Sequence, residues 1–205
     1  MDLKKIFEQL CLSFTKDENL ISSLWREIET QYSEKGRYYH NLLHLENMIH
    51  ELTAVRNKIS GFDEVLFSVF YHDVIYDASS KSNEEKSAAY AVPRLEQLGL
   101  SPGRILKVKD QILSTKTHQK SNDHDTNYLL DADLSVLGKD PETYFSYSRK
   151  IRKEYSIYPD FLYQPGRKKV LKHFLKLDQI FKTEEFKNLY EAQAIENIKA
   201  ELQML

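Results

Sequence analysis

The stretch HLENMIHELTAVRNKIS, residues 44–60, decides the fold class of this chain. Leu45, Met48, Ile49, Leu52, Val55 and Ile59 recur in it at three- and four-residue steps, which puts them on one face of a helix. Gly61 breaks the pattern. Beyond it Phe62, Val65, Leu66, Val69 and Phe70 begin a second helix, apolar enough to lie deep in a core. Working towards the C-terminus, Ser82 and Glu85 stand at capping-box spacing and predict a helix start near Asn83, with Gly99 as its end. Ser101-Pro102 reads as a cap followed by a first-turn proline, and Ile105, Val108 and Ile112 continue that helix. Asp140-Pro141 repeats the start signal ahead of Tyr144, Tyr147, Ile151 and Tyr155. Val170, Phe174, Leu177 and Phe181 mark a helix after a Pro165-Gly166 turn, and Thr183 caps the last one.

No segment alternates apolar and polar residues as a half-buried strand would. The reading is an all-α bundle of eight to ten helices. It is one domain over 1–205, with a core of about 25–140 and a C-terminal helical part of about 141–205. A chain of 205 residues suffices for one real hydrophobic core. Its net charge of −2 gives no bulk attraction for nucleic acid or an anionic membrane. No run approaches the roughly 20 apolar residues that span a bilayer, and the N-terminus carries no long apolar stretch of the secretory kind. Cys11 is the only cysteine, which excludes an internal disulfide and a thiolate metal cluster. A reducing cytoplasm is the expected setting.

Four polar features interrupt this apolar pattern. His40 and His44 stand four apart, a spacing that on a helix aims both at one site. His72-Asp73 ends a strongly apolar helix, where a charged pair is costly unless compensated. Asp131 and Asp133 end another apolar stretch, and His118 lies on a predicted helix end ahead of them. Taken singly, each has an ordinary explanation: surface decoration, a helix cap, an ion pair. Together they form a mixed imidazole and carboxylate set, which suits Zn, Mn, Fe or Ni, with Mg reachable where carboxylate and water dominate.

The order His44, then His72-Asp73, then Asp133 resembles the signature of the HD superfamily of metal-dependent phosphohydrolases. Tyr39-His40-Asn41 with His44, and Ala132-Asp133-Leu134-Ser135, are similar to segments of class I cyclic-nucleotide phosphodiesterases. Arg37-Tyr38-Tyr39-His40-Asn41, His72-Asp73-Val74-Ile75-Tyr76-Asp77, Asn83-Glu84-Glu85-Lys86-Ser87-Ala88, Leu130-Asp131-Ala132-Asp133-Leu134, Arg152-Lys153-Glu154-Tyr155 and Gly166-Arg167 resemble a bacterial group of predicted HD phosphohydrolases. The resemblance implies that His44, His72, Asp73 and Asp133 hold one or two divalent metal ions. It makes Asp73 a bridging and catalytic carboxylate and His40 the general acid. Asp131 is the rival of Asp133, whose Ala-Asp-Leu-Ser context favours it.

The implied substrate is a phosphomonoester or phosphodiester, with a nucleotide slightly favoured, cleaved by metal-activated water. Arg37, Lys116, His118, Arg152 and Arg167 are the candidate partners of its phosphate. Tyr144, Tyr147, Tyr155, Tyr158 and Tyr163 could stack a base, but their helical spacing favours packing. Two departures stand out. Tyr76 occupies a position where many HD proteins carry Lys, and the Gly-Tyr-Pro motif of cyclic-di-nucleotide enzymes is absent. The competing readings are an HD-type di-iron oxygenase and a non-catalytic protein that binds metal or nucleotide. Between His-Asp and the last Asp only His118 and His124 are available to the oxygenase reading.

Overall fold

The computed structural model describes residues 1–205, and it contains ten α-helices and no strand. They are α1 (Leu3–Leu12), α2 (Glu18–Tyr32), α3 (Leu42–Ala54), α4 (Phe62–Tyr71), α5 (Asn83–Gln97), α6 (Pro102–Ser114), α7 (His124–Leu134), α8 (Pro141–Glu154), α9 (Asp160–Phe174) and α10 (Glu184–Met204). Short 3₁₀ turns follow α3 at Arg56–Lys58 and α7 at Ser135–Gly138. No helix is long and apolar enough to cross a membrane.

The most apolar helix lies at the centre, as its composition requires. Every residue of α4 from Glu64 to Tyr71 is buried, and α3, α5, α6 and α7 pack around it. α7 is buried from Asp125 to Ala132 and crosses both α3 and α4. α1 closes one side through Phe7, whose ring meets Phe70 edge-on at 5.1 Å. One continuous core runs from Leu3 to Ile198 and takes in every helix but α8 and α9 through several side chains; those two contribute Tyr144 and Leu171. α10 packs on the Ser135–Gly138 turn so closely that a Cβ on Gly138 would collide with Tyr190.

Most helix starts follow the predicted signals, with differences in detail. Asp140 caps α8 by accepting from Thr143 N at 3.0 Å. α5 begins at Asn83, yet no capping box forms: the Ser82 hydroxyl caps nothing and Glu85 turns to Lys116. α3 ends at Ala54, short of Ile59, because the chain tightens into the 3₁₀ turn. The Pro165-Gly166 pair forms no turn between helices. α9 runs through both residues, with Tyr163, Arg167 and Leu171 buried on its inner face. A proline removes one ladder bond from a helix, and here burial on both sides of it outweighs that loss.

Candidate metal centre

Three helix ends and one loop converge on a single point. His44 comes from the first turn of α3, His72 and Asp73 from the C-terminus of α4, and Asp133 from the last turn of α7. One ligand atom from each of His44, His72 and Asp133 fits within 4.8 Å of the others, so the group could hold a metal ion. His72 Nε2 is the focus. It lies 3.1 Å from Asp73 Oδ2, 3.3 Å from His44 Nε2 and 3.9 Å from Asp133 Oδ1. His44 Nε2 lies 3.1 Å from Asp133 Oδ1.

These separations fit a cation. Ligand atoms about 2.1 Å from one ion stand roughly 3 Å apart around it. The hydrogen bonding agrees. His72 Nδ1 donates to the Val69 carbonyl at 2.9 Å, which aims Nε2 at the cluster. Two imidazole nitrogens, His44 Nε2 and His72 Nε2, face each other in this buried space. A divalent ion with nitrogen and oxygen ligands satisfies both.

The electrostatics carry the same sign. Burial opposes a charged His72, but the carboxylates of Asp73 and Asp133 outweigh it and push its pKa up to about 9. Burial also opposes charge on both carboxyls, yet His72 and His40 hold Asp73, and His118 and His44 hold Asp133, well below the usual carboxylate range. His44 is lowered, chiefly by burial. Both carboxylates thus keep their charge, and the cluster is closed beneath by imidazoles that are 2 % exposed and open at carboxylates that are 14–15 % exposed.

His40 stands at the mouth, and it reaches there by a route other than helical spacing. Asn41 caps α3, so His40 precedes the helix, with its ring 5.9 Å from that of His44. Its Nε2 faces Asp73 Oδ2 at 3.9 Å. Its Nδ1 lies 2.6 Å from Glu154 Oε2 at the end of α8. Glu154 also accepts from the backbone N–H of Tyr39 at 2.6 Å, from that of His40 at 2.9 Å, and from Tyr76 OH at 3.0 Å. The Tyr76 ring stacks on His40 at 4.3 Å. Burial disfavours the charged imidazole, but Asp73 and Glu154 overcome it and His40 is raised above its ordinary value. Glu154 and Tyr76 were not assigned to the site from sequence. Both belong to segments quoted above, and Tyr76 also stands at the position where many HD proteins carry Lys.

Asp131 and Asp133 separate cleanly. Asp131 points away from the cluster and holds the chain just before α10, accepting from Lys182 N at 2.8 Å and from Thr183 N and Oγ1 at 2.7 Å. Thr183 stands at the cap position as expected, but its hydroxyl donates to Asp131 and caps no helix N–H. Asp133 gives its second oxygen to His118 Nε2 at 2.8 Å. His118 is the one non-glycine residue with positive φ, at 50°.

The structure gathers only one of the five phosphate candidates at the mouth, and that one is bonded to Asp133. His118 is there, 17 % exposed. Arg37 is adjacent but buried, and it clamps backbone: it donates to the carbonyls of Asp73 at 2.6 Å, Val74 at 2.9 Å and His40 at 3.3 Å. That ties the His40 loop to the His72-Asp73 turn. Lys116 pairs with Glu85. Arg152 is taken by Asp160 at 2.7 Å and by the carbonyls of Tyr155 and Tyr158. Arg167 forms a buried pair with Glu201. The tyrosines serve packing: Tyr144 is buried and bonds Glu201, Tyr147 meets Tyr39 at 4.7 Å, and Tyr155 meets Tyr158 and Tyr163. His124 rests on Tyr128. Asp77 closes a turn by accepting from Ser79.

Comparison with protein families, curated proteins and solved structures gave no match to this chain.

Proposed function

We propose that this protein is a metal-dependent phosphohydrolase of the HD type. The observation that carries the reading is the convergence of His44, His72, Asp73 and Asp133 on one point, with His40 beside them and held by Glu154. A divalent ion bound there supplies Lewis acidity towards a phosphoryl oxygen and a water of lowered pKa. Everything else falls to the protein. Asp73 and Asp133 fix the negative charge that retains a cation. Arg37 sets the distance between the His40 loop and the His72-Asp73 turn. Glu154 favours the charged form of His40 and aims its Nε2 towards Asp73, where it can give a proton to a leaving alkoxide. The His118 imidazole at the mouth bonds Asp133 through Nε2 and so orients that carboxylate.

The oxygenase alternative draws on His118 alone, because His124 is packed on Tyr128. The non-catalytic alternative leaves the His40–Glu154 pair without a purpose.

Elemental analysis of protein purified without chelator tests the reading, together with phosphate release from a panel of phosphoesters. About one to two ions of Mn, Mg, Zn, Ni or Fe per chain, lost in Asp73→Ala, together with metal-dependent phosphate release, is the expected result. Failure of all five metals to bind on titration overturns it. Two irons per chain with oxygen uptake and no phosphate release would transfer the site to the oxygenase class.

A further inference from the structure

Positive charge is gathered in one part of this chain. Residues 149–176, from the second half of α8 to just past α9, hold nine Lys and Arg against two acids, a net of +7. The rest of the chain holds 20 against 29, a net of −9. The overall −2 therefore conceals two opposed regions, and a local attraction for anions exists where the bulk charge offers none.

Ion pairing leaves most of that charge free. Both acids of the segment are taken, Glu154 by His40 and Asp160 by Arg152. Arg167 pairs with Glu201 of α10. The seven other cations form no ion pair, and six of them are lysines. Along α9, Pro165, Lys168, Lys169, Lys172, His173 and Lys176 stand at steps of three and four and line one open depression on its outer side. The inner side is Tyr163, Arg167 and Leu171.

Apolar groups stand bare at the start of the same helix. Ile157, in the turn between α8 and α9, is 71 % exposed, and Phe161 and Leu162, in the first turn of α9, are 74 % and 55 % exposed. Phe161 lies one turn ahead of Pro165 on the outer row. A single exposed apolar side chain is ordinary, but three within six residues, at the edge of seven unpaired cations, mark an interaction surface.

We propose that this corner of α8 and α9 docks on an anionic lipid surface, with the lysines against the phosphate-bearing headgroups and Ile157, Phe161 and Leu162 in the apolar boundary beneath. The metal centre plays no part in this. The combination selects the partner. A leaflet presents a plane of diffuse negative charge, for which the point charges of lysine suffice, over an apolar layer within reach of a side chain. Nucleic acid supplies the charge but gives Ile157 and Leu162 nothing to enter, since its bases stack on aromatic rings and guanidinium planes.

Flotation of the full chain with vesicles of phosphatidylcholine, alone or mixed with phosphatidylserine, tests this. Binding is expected to the mixed vesicles only, and to weaken as salt rises. Each lysine near an anionic leaflet strengthens binding about fivefold, so the double variant Lys169→Glu, Lys172→Glu is expected to bind at least about 25-fold more weakly. Phe161→Trp adds an exposed indole to a chain whose one tryptophan, Trp25, is buried. Its emission is expected to shift to the blue on the mixed vesicles. All three positions are exposed, so these variants keep the fold. Failure to bind the mixed vesicles, or equal binding to phosphatidylcholine alone, overturns the proposal. So does full binding by the double variant, or an emission that does not move. An RNA oligonucleotide that binds more tightly than the vesicles and displaces the protein from them would transfer the surface to nucleic acid.

Discussion

His40 Nδ1 lies 2.6 Å from Glu154 Oε2, although 114 residues separate them in the chain. Glu154 bonds the ring and, through its other oxygen, the backbone N–H of the same residue, so it fixes both the charge and the direction of His40. Glu154→Gln keeps the shape and removes the charge. The folded pKa of His40 is raised, so the ring keeps its proton to higher pH than a free histidine; without Glu154 it loses the proton earlier. The alkaline limb of the pH–rate profile is expected to move to lower pH, with metal content unchanged. An unmoved limb would detach Glu154 from the chemistry. His40→Ala removes the donor and is expected to lower turnover by roughly 10²–10⁴-fold, again with the metal retained.

Asp131 and Asp133 are two residues apart and do different work. Asp133→Asn is expected to empty the metal centre, since it loses one anionic ligand and the acceptor for His118. Asp131→Asn is expected to keep the metal and cost about 1–3 kcal/mol, because the Lys182 and Thr183 N–H groups lose a charged acceptor. Metal content and chemical denaturation of the two variants separate these outcomes, and metal loss from Asp131→Asn would reverse the assignment.

The His118 backbone is left-handed, with φ of 50°, and its side chain orients Asp133. His118→Ala is expected to weaken metal binding about 10–100-fold, as loss of a ligand-orienting partner does. His118→Gly should weaken it equally but fold more stably than the alanine variant by about 1 kcal/mol, because glycine adopts this φ without a Cβ clash. A metal titration and a urea melt on the pair read the two effects apart.

Arg167 and Glu201 form a buried pair, with Nε to Oε1 at 2.8 Å and side chains 7 % and 5 % exposed. Removing one partner leaves an uncompensated buried charge, so Arg167→Ala is expected to destabilise by roughly 3–5 kcal/mol with no loss of bound metal. Burial alone would raise the Glu201 pKa, but Arg167 and Tyr144 bring it below its ordinary 4.5. The sign follows from the linkage of folding to protonation. The stabilisation is full above pH 4.5 and is lost as pH falls through the lower folded value. Thermal melts from neutral pH into that acid range should show a loss in wild type that Glu201→Gln lacks.

Helix periodicity was written in the sequence because it is a local property: the backbone repeats every 3.6 residues whatever surrounds it. Leu45 to Leu52, the apolar run of α4 and the Asp140-Pro141 start were legible for that reason. So was the convergence of His44, His72, Asp73 and Asp133, though through a resemblance of motifs and not through spacing. His40 shows the difference. Its four-residue offset from His44 suggested a shared helix face, yet it precedes the helix and arrives beside His44 through the Arg37 clamp and Glu154.

Tertiary structure decided the rest. Which of Asp131 and Asp133 faces the centre depends on where Thr183 lies, 52 residues downstream. Whether Arg37, Lys116, Arg152 and Arg167 are free depends on which acceptors the fold brings to them, and each found one. The continuation of α9 through Pro165 depends on what its inner face packs against. The sequence by itself determined the elements and the donor types, since those follow from local geometry and side-chain chemistry. Pairing across the chain was decided only by packing, because a charged side chain takes the nearest partner in space and sequence distance carries no energy.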